Sequence, residues 1–244
     1  MGGATLGRRL LWPRQEAKMQ KRSLSVILSM LIMGVIAQSG RAQINGDELV
    51  IDNFTTGSYK VELSNGSDIK YKTGSTNTIV GGVRQTYFSV SQPTTGGFNR
   101  SSVLDIREGG PMIIESGLKA YFGIYLCYGY DIQGNTNSLN LKLKQRGFNR
   151  FRINLDSSDL EMGYAIQVWD KNNNRATLFG EQTMKDRYSP SYVDFPFADF
   201  ESGYPNPIDW DAIDFVIVLF QSGSAIGAND FAVTSIVALP PQIQ

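Results

Sequence analysis

The chain lacks histidine altogether and has a single cysteine, Cys127, in its 244 residues. Without histidine there is no Ser-His-Asp or Cys-His catalysis, no His-ligated zinc and no imidazole general base. Any chemistry must rest on carboxylates, Tyr, Lys or Arg. One cysteine cannot close a disulfide within the chain, so stability has to come from apolar burial, helped at most by an ion. Cys127 lies in YFGIYLCYGY and reads as a buried, inert thiol. Long apolar runs are scarce too. Apart from 24–37 (LSVILSMLIMGVIA), no stretch keeps a helical period over about a dozen residues.

That one run has a context. Lys21 and Arg22 precede it, and Gly40 and Ala42 follow at the −3 and −1 positions of a small-residue cleavage site. Basic, apolar and small in that order is the pattern of an export signal. The run is shorter than the roughly 20 residues that span a bilayer. Residues 19–42 are therefore expected to be a signal peptide, with an uncleaved membrane anchor as the alternative. Residues 1–18 lie upstream of a better start at Met19 and read as a leader or an over-long start. The mature part, 43–244, is expected to be one β-sandwich domain, secreted to an extracellular or periplasmic compartment, with no stable membrane span.

Charge points the same way. The whole chain has 23 basic and 23 acidic residues. Residues 1–42 hold seven of the basic ones and one acid, which leaves 16 against 22, or −6, for the mature part. A negative chain without basic blocks is a poor partner for nucleic acid or anionic membrane.

What the mature part does contain is period-2 alternation and short apolar runs, separated by Gly, Asn, Ser and Pro. Strands are predicted at 48–54, 58–63, 68–73, 84–91, 103–108, 112–115, 120–130, 139–143, 150–154, 164–170, 192–196, 212–220 and 230–239. Asn65-Gly66-Ser67 reads as a tight hairpin, and Lys171-Asn172-Asn173-Asn174-Arg175 as a polar hairpin tip. Gly81-Gly82 reads as a tight turn into a strand, not a phosphate loop, and Arg84 behind it can anchor a buried carboxylate. Asp209 can cap a single helical turn with Trp210 tucked beneath it. Asn53, Asn65 and Asn99 head formal glycosylation triplets. Strands with one apolar face each bury it by stacking two antiparallel sheets, so the fold class is all-β, a two-sheet sandwich.

Alternation also assigns faces. Phe151, Ile153 and Leu155 share one side of their strand, with Arg152 and Asn154 on the other. If Tyr164, Ile166 and Val168 face the core, Gln167 and Trp169 face outward. Tyr121 and Tyr125 share a face, opposite Phe122, Ile124, Leu126, Tyr128 and Tyr130. A sugar ring is recognised by a flat aromatic surface flanked by amide, carboxylate or guanidinium groups. The candidate glycan-binding residues are therefore Trp169, Gln167, Tyr121, Tyr125, Arg146 and Arg150. The same tyrosines can instead be rim or core residues with satisfied hydroxyls. No catalytic residue is assigned. With 22 acids some pair always has the spacing of a glycosidase, so acid pairs do not discriminate.

The C-terminal half resembles a known pattern. Its pieces are Val193-Asp194-Phe195-Pro196-Phe197-Ala198-Asp199-Phe200, then Ile208-Asp209-Trp210-Asp211-Ala212-Ile213, then Asn229-Asp230-Phe231-Ala232-Val233-Thr234-Ser235-Ile236. This is similar to the closing pattern of galactose-binding-like jelly rolls, including complex I intermediate-associated-type domains and some carbohydrate-binding modules. Val50-Ile51-Asp52-Asn53-Phe54 resembles their first strand. Asp52-Asn53-Phe54-Thr55-Thr56-Gly57 and Gly81-Gly82-Val83-Arg84 also resemble the "DDFSTG" and "GGxR" pieces of bacterial exported proteins. Some of those end in a Pro-Glu-Pro sorting tail, a pattern that ALPPQIQ at 238–244 does not show. The resemblance implies a jelly-roll sandwich, and in such folds a structural calcium often sits where first and last strands meet. Asp52 and Asp230 are the matching acids. No other cofactor is expected. Asp209, Asp211 and Asp214 fit a capped turn as well as an ion site.

These readings converge on a secreted, non-catalytic binding module for a polysaccharide or cell-surface glycan. Two other classes stay open: an exported structural or assembly protein that binds another protein through a sheet face, and a His-free polysaccharide lyase or hydrolase.

Overall fold

Alternating burial along residues 83–90, 102–106, 112–115 and 150–155, buried then part-exposed, is the local mark of two sheets packed face to face. In the computed structural model, residues 44–45, 48–92, 101–159, 162–182, 191–202, 206–222 and 229–242 are described. They all belong to one compact unit, Gln38–Gln244. The predicted signal and leader lie outside them, as do Thr94-Thr95-Gly96-Gly97 and Asn99.

The strands in chain order are β1 (Ile44–Asn45), β2 (Glu48–Asp52), β3 (Tyr59–Leu63), β4 (Gly66–Thr73), β5 (Val83–Ser91), β6 (Ser102–Ile106), β7 (Met112–Glu115), β8 (Tyr121–Tyr128), β9 (Arg150–Ser158), β10 (Met162–Asp170), β11 (Arg175–Gln182), β12 (Ser191–Pro196), β13 (Glu201–Ser202), β14 (Ile213–Ser222) and β15 (Phe231–Leu239). An eight-stranded sheet runs β1-β2-β15-β7-β6-β3, with β9 joining β15 to β12. A seven-stranded sheet runs β13-β11-β10-β14-β8-β5-β4. Every pairing is antiparallel. This is an all-β jelly-roll sandwich.

The core is the set of inward positions. β8 contributes Phe122, Ile124, Leu126 and Tyr128, β10 Tyr164, Ile166 and Val168, and β14 Val216, Val218 and Phe220. From the facing sheet come Leu49, Ile51, Leu104, Ile106, Phe151, Ile153, Phe231, Val233 and Ile236. Each such side chain contributes about 1.5–3 kcal/mol by leaving water. One end of the core is an aromatic box. Trp210 stacks on Phe197 with centroids 4.0 Å apart and planes 7° apart, and Phe151 and Phe200 close round them. Phe197, Phe200 and Trp210 are the aromatics of the PFADF and IDWDAI segments, so the C-terminal resemblance is carried by packing residues.

Several sequence expectations need correction. Asn65-Gly66-Ser67 is not a hairpin. β3 pairs with β6 in one sheet and β4 with β5 in the other, so the chain crosses between sheets there. Residues 139–143 form no strand; Leu141 makes an isolated bridge to Ile213. β11 was not predicted, because Arg175–Gln182 has only weak alternation and a glycine at 180. Asp209–Ala212 is a plain turn rather than a helical one, although Trp210 is buried beneath it as expected. The Asp170–Asn174 tip does close the β10–β11 hairpin. Val80–Gly82 is the tight turn before β5, with Gly81 and Gly82 at φ +72° and +75°.

Candidate functional site

The outward face of the seven-stranded sheet is built row by row from strand register. One row runs across six strands, from β4 to β11: Ile69, Tyr87, Tyr125, Leu219, Ala165, Phe179. The next row is Tyr71, Gln85, Cys127, Ile217, Gln167, Thr177. Beyond it Trp169 stands opposite Phe215 on one side and Arg175 on the other. On the far side of the apolar row lie Ser67, Ser89, Gly123, Gln221 and Gly163, small or flexible, and then Glu181 on β11. Alternation alone requires that these side chains share a face, because their inward neighbours are the core.

The face is part apolar, part amide. Tyr87 and Tyr125 meet edge to face at 5.6 Å. Phe179 and Ile69, at the two ends of their row, are 59% and 49% exposed. The indole N–H of Trp169 donates to Gln167 Oε1 at 3.0 Å, and Gln167 Nε2 donates to Thr177 Oγ1 at 2.9 Å. Gln85 Nε2 donates to the Tyr71 hydroxyl at 2.5 Å. The two amides are thus aimed by their neighbours, and each keeps further hydrogen-bonding capacity. Burial raises the Tyr125 hydroxyl above its ordinary value, with Tyr87 and Cys127 adding to the effect. Burial alone pushes the Cys127 thiol up to about 12, so it stays protonated and inert.

Tyr130 joins this face, contrary to the expectation from alternation. Gly129, at φ +110°, interrupts the strand and swings Tyr130 outward. A Cβ at Gly129 would meet Asp214 O and the Phe215 ring at 2.5 Å. Tyr130 then packs between Phe215 (5.5 Å) and Tyr71 (6.5 Å).

The loops that border this end share one construction. Asp131 accepts the N–H groups of Gln133 and Asn135 on Oδ1 and the Asn135 amide on Oδ2. Asp170 accepts the N–H groups of Asn172 and Asn174 on Oδ1 and the Asn174 amide on Oδ2. In both, the residue before the asparagine (Gly134 and Asn173) has positive φ. Asp170 Oδ2 also accepts the Asp209 N–H at 3.1 Å, which ties the hairpin to the following turn.

The sequence-predicted residues separate. Trp169, Gln167 and Tyr125 come together on this face, and Tyr121, 48% exposed, stands at the far end of β8. Arg146 and Arg150 do not join them. Arg146 lies in the turn before β9, over the Phe148 ring at 5.4 Å. Arg150 begins β9 in the opposite sheet, where it and Arg152 share Asp194, and Arg152 stacks on Tyr192 at 3.7 Å. The two arginines lie close to each other along the chain, and that does not bring them to the face that holds Tyr125.

Asp52 and Asp230 are not brought together either. Asp52 is fully buried and accepts from Arg84 (2.8 Å), Tyr128 (2.9 Å) and the Phe54 N–H (2.8 Å). Burial pushes its carboxyl up, and the Arg84 guanidinium pulls against that. Arg84 is thus the carboxylate anchor that the sequence foresaw. Asp52 pairs with Ile236 of β15, while Asp230 precedes that strand, roughly 20 Å of extended chain away. Among the described residues no three Asp, Glu or Cys side chains converge as a metal set.

Tyr71, Tyr87, Gln85, Phe215 and Phe179 were missed. The alternation of β5 marks Gln85 and Tyr87 as outward, but only strand order shows that they lie beside Tyr125.

No protein-family model matches the chain, and no curated protein matches it. Solved structures do. The chain is similar to the family 11 carbohydrate-binding module of a cellulosomal cellulase of Clostridium thermocellum, at 14% identity over 81% of this chain and 96% of that one, TM-score 0.38. A family 11 module from Clostridium thermocellum in complex with a β-1,3-1,4-mixed-linked tetrasaccharide is similar at 14% identity over 81% and 98%, TM-score 0.35. An exo-β-agarase is similar at 12% identity over 82% of this chain and 25% of its own, TM-score 0.38.

Proposed function

We propose that this protein is an exported, non-catalytic binding module that holds a polysaccharide or cell-envelope glycan on the outward face of the seven-stranded sheet. The observation that carries the reading is the juxtaposition of part-exposed Tyr71, Tyr87, Tyr125 and Trp169 with oriented Gln85 and Gln167. Aromatic faces cover the apolar side of a sugar ring, and amides fix its hydroxyls. Among the described residues the apolar and amide rows hold no carboxylate, and in register only Glu181 stands beside them, so no acid pair spans the face, which supports binding rather than hydrolysis. Export is supported by the basic, apolar and small order of residues 19–42.

The test is retention on immobilised neutral and acidic polysaccharides. Trp169→Ala should abolish retention while Tm falls by no more than about 4 °C, the equivalent of roughly 1 kcal/mol in a domain of this size. Retention that survives the substitution, with a large fall in Tm, would make Trp169 a packing residue and defeat the reading.

A further inference from the structure

The row Ile69–Tyr87–Tyr125–Leu219–Ala165–Phe179 crosses six strands without interruption. Five strand spacings make it about 24 Å long. Its two ends carry its most exposed side chains, Ile69 at 49% and Phe179 at 59%, so nothing among the described residues walls it off at either end. Its centre is buried, with Leu219 at 7% and Ala165 at 4% exposure. The row on one side offers two glutamines, a threonine and a tyrosine hydroxyl, and the row on the other holds serines, glycines and Gln221, with Glu181 at its β11 end. Gln221 folds over Gly163, where a Cβ would come within 2.9 Å of its side chain.

Cationic side chains are missing from the three rows of this arrangement among the described residues. Among the described residues, neither the apolar row nor the amide row contains an Asp, Glu, Lys or Arg. The charged positions nearest in register are Glu181, opposite Gly163 at the β11 end of the serine and glycine row, and Arg175, opposite Trp169 and one row beyond the amides. An anionic polymer would need guanidinium or ammonium partners to offset the loss of its hydration. An uncharged polymer needs only hydroxyl and amide partners, and those are what flank the row.

We infer that the site takes an uncharged glycan chain, lying across the strands along this row and bound by an internal stretch instead of by a chain end. This rests on the glycan reading above. It adds the charge class of the ligand and the way the ligand is held.

The full-length chain should be titrated calorimetrically with neutral β-glucan, galactan and xylan, and with acidic polygalacturonate and alginate. A neutral polymer should bind, with an affinity unchanged between about 0.05 and 0.5 M salt, where screening would weaken a charge-driven contact. Affinity for its oligomers should climb until they reach about 24 Å. Tyr125→Ala should weaken binding about tenfold or more. Phe179→Ala, at an exposed position that cannot threaten the fold, should weaken the long oligomers and spare the short ones. Salt-sensitive binding of an acidic polymer through Tyr125 and Trp169 would overturn this inference and leave the glycan reading intact. So would affinity that saturates with a single sugar or a disaccharide. No binding of any polymer would remove both.

Discussion

At the scale of single residues the molecule separates two kinds of polar group. Asp52 and Arg84 are both fully buried, 2.8 Å apart, and serve the fold. Tyr128 and the Phe54 N–H complete the carboxylate's partners, and the carbonyl of Gly57 takes an Arg84 N–H at 2.5 Å. Removing one member leaves the other charged in a dry interior, which typically costs about 3–5 kcal/mol. Arg84→Met is therefore expected to lower the unfolding free energy from urea titration by that order, seen as a lower midpoint. Arg84→Met with Asp52→Leu together should recover part of the loss. If the single substitution leaves the midpoint unchanged, the pair is not holding the sandwich. Trp169, Gln167 and Tyr125 are the opposite case. Their contacts lie on an outward face, so their loss should register in binding before it registers in stability.

At the scale of elements, the strands present the binding face and two capped loops fix one end of it. Asp170 is the better test of the capping arrangement. Burial works against its charge, but the Asn174 amide and the N–H groups of Asp209, Asn174 and Asn172 outweigh burial and hold the carboxyl below its ordinary 3.8. A carboxyl depressed on folding contributes stability that is present above its unfolded pKa and is lost as pH falls through its folded one. Thermal unfolding followed from about pH 6 down to about pH 2 should show this as a falling Tm below roughly pH 4. Asp170→Asn should start lower at neutral pH and fall less steeply, so that the two curves converge in acid. Parallel curves would mean that the Asp170 charge does not matter to the turn. Gly129 sets the other loop. Gly129→Ala would force a side chain against Asp214 O and the Phe215 ring. At φ +110° it should cost about 1–3 kcal/mol, measurable by denaturant unfolding.

At the scale of the whole molecule, two sheets bury one apolar face each and leave two outward faces of different chemistry. That of the seven-stranded sheet is aromatic and amide. That of the eight-stranded sheet carries Arg150, Arg152, Asp194 and Tyr192 as a connected ionic and stacked group. The aromatic box at one end is what should hold the layers together. Trp210→Ala is expected to cost about 3–5 kcal/mol, because it removes the partner stacked on Phe197 and leaves a cavity. A loss below about 1 kcal/mol would show that the box collapses freely.

Within regular strands the sequence by itself determined which side chains go in and which go out, and Tyr130, beyond Gly129, is where that rule ended. In β9, β10 and β8 the alternation of Phe151, Ile153 and Leu155, of Tyr164, Ile166 and Val168, and of Phe122, Ile124 and Leu126 is visible over a few residues, because successive side chains on an extended backbone must point to opposite sides. The absence of histidine and of a second cysteine was equally local. Only the tertiary structure decided which outward residues are neighbours. Tyr87, Tyr125 and Phe179 lie far apart in the chain and share one row because β5, β8 and β11 belong to one sheet. Arg150 lies closer in sequence and went to the other sheet. Asn65-Gly66-Ser67 shows the same limit: turn chemistry says that the chain bends but not whether the next strand pairs with the last one. Strand order is set by burial summed over both sheets, and no short window of sequence contains that sum.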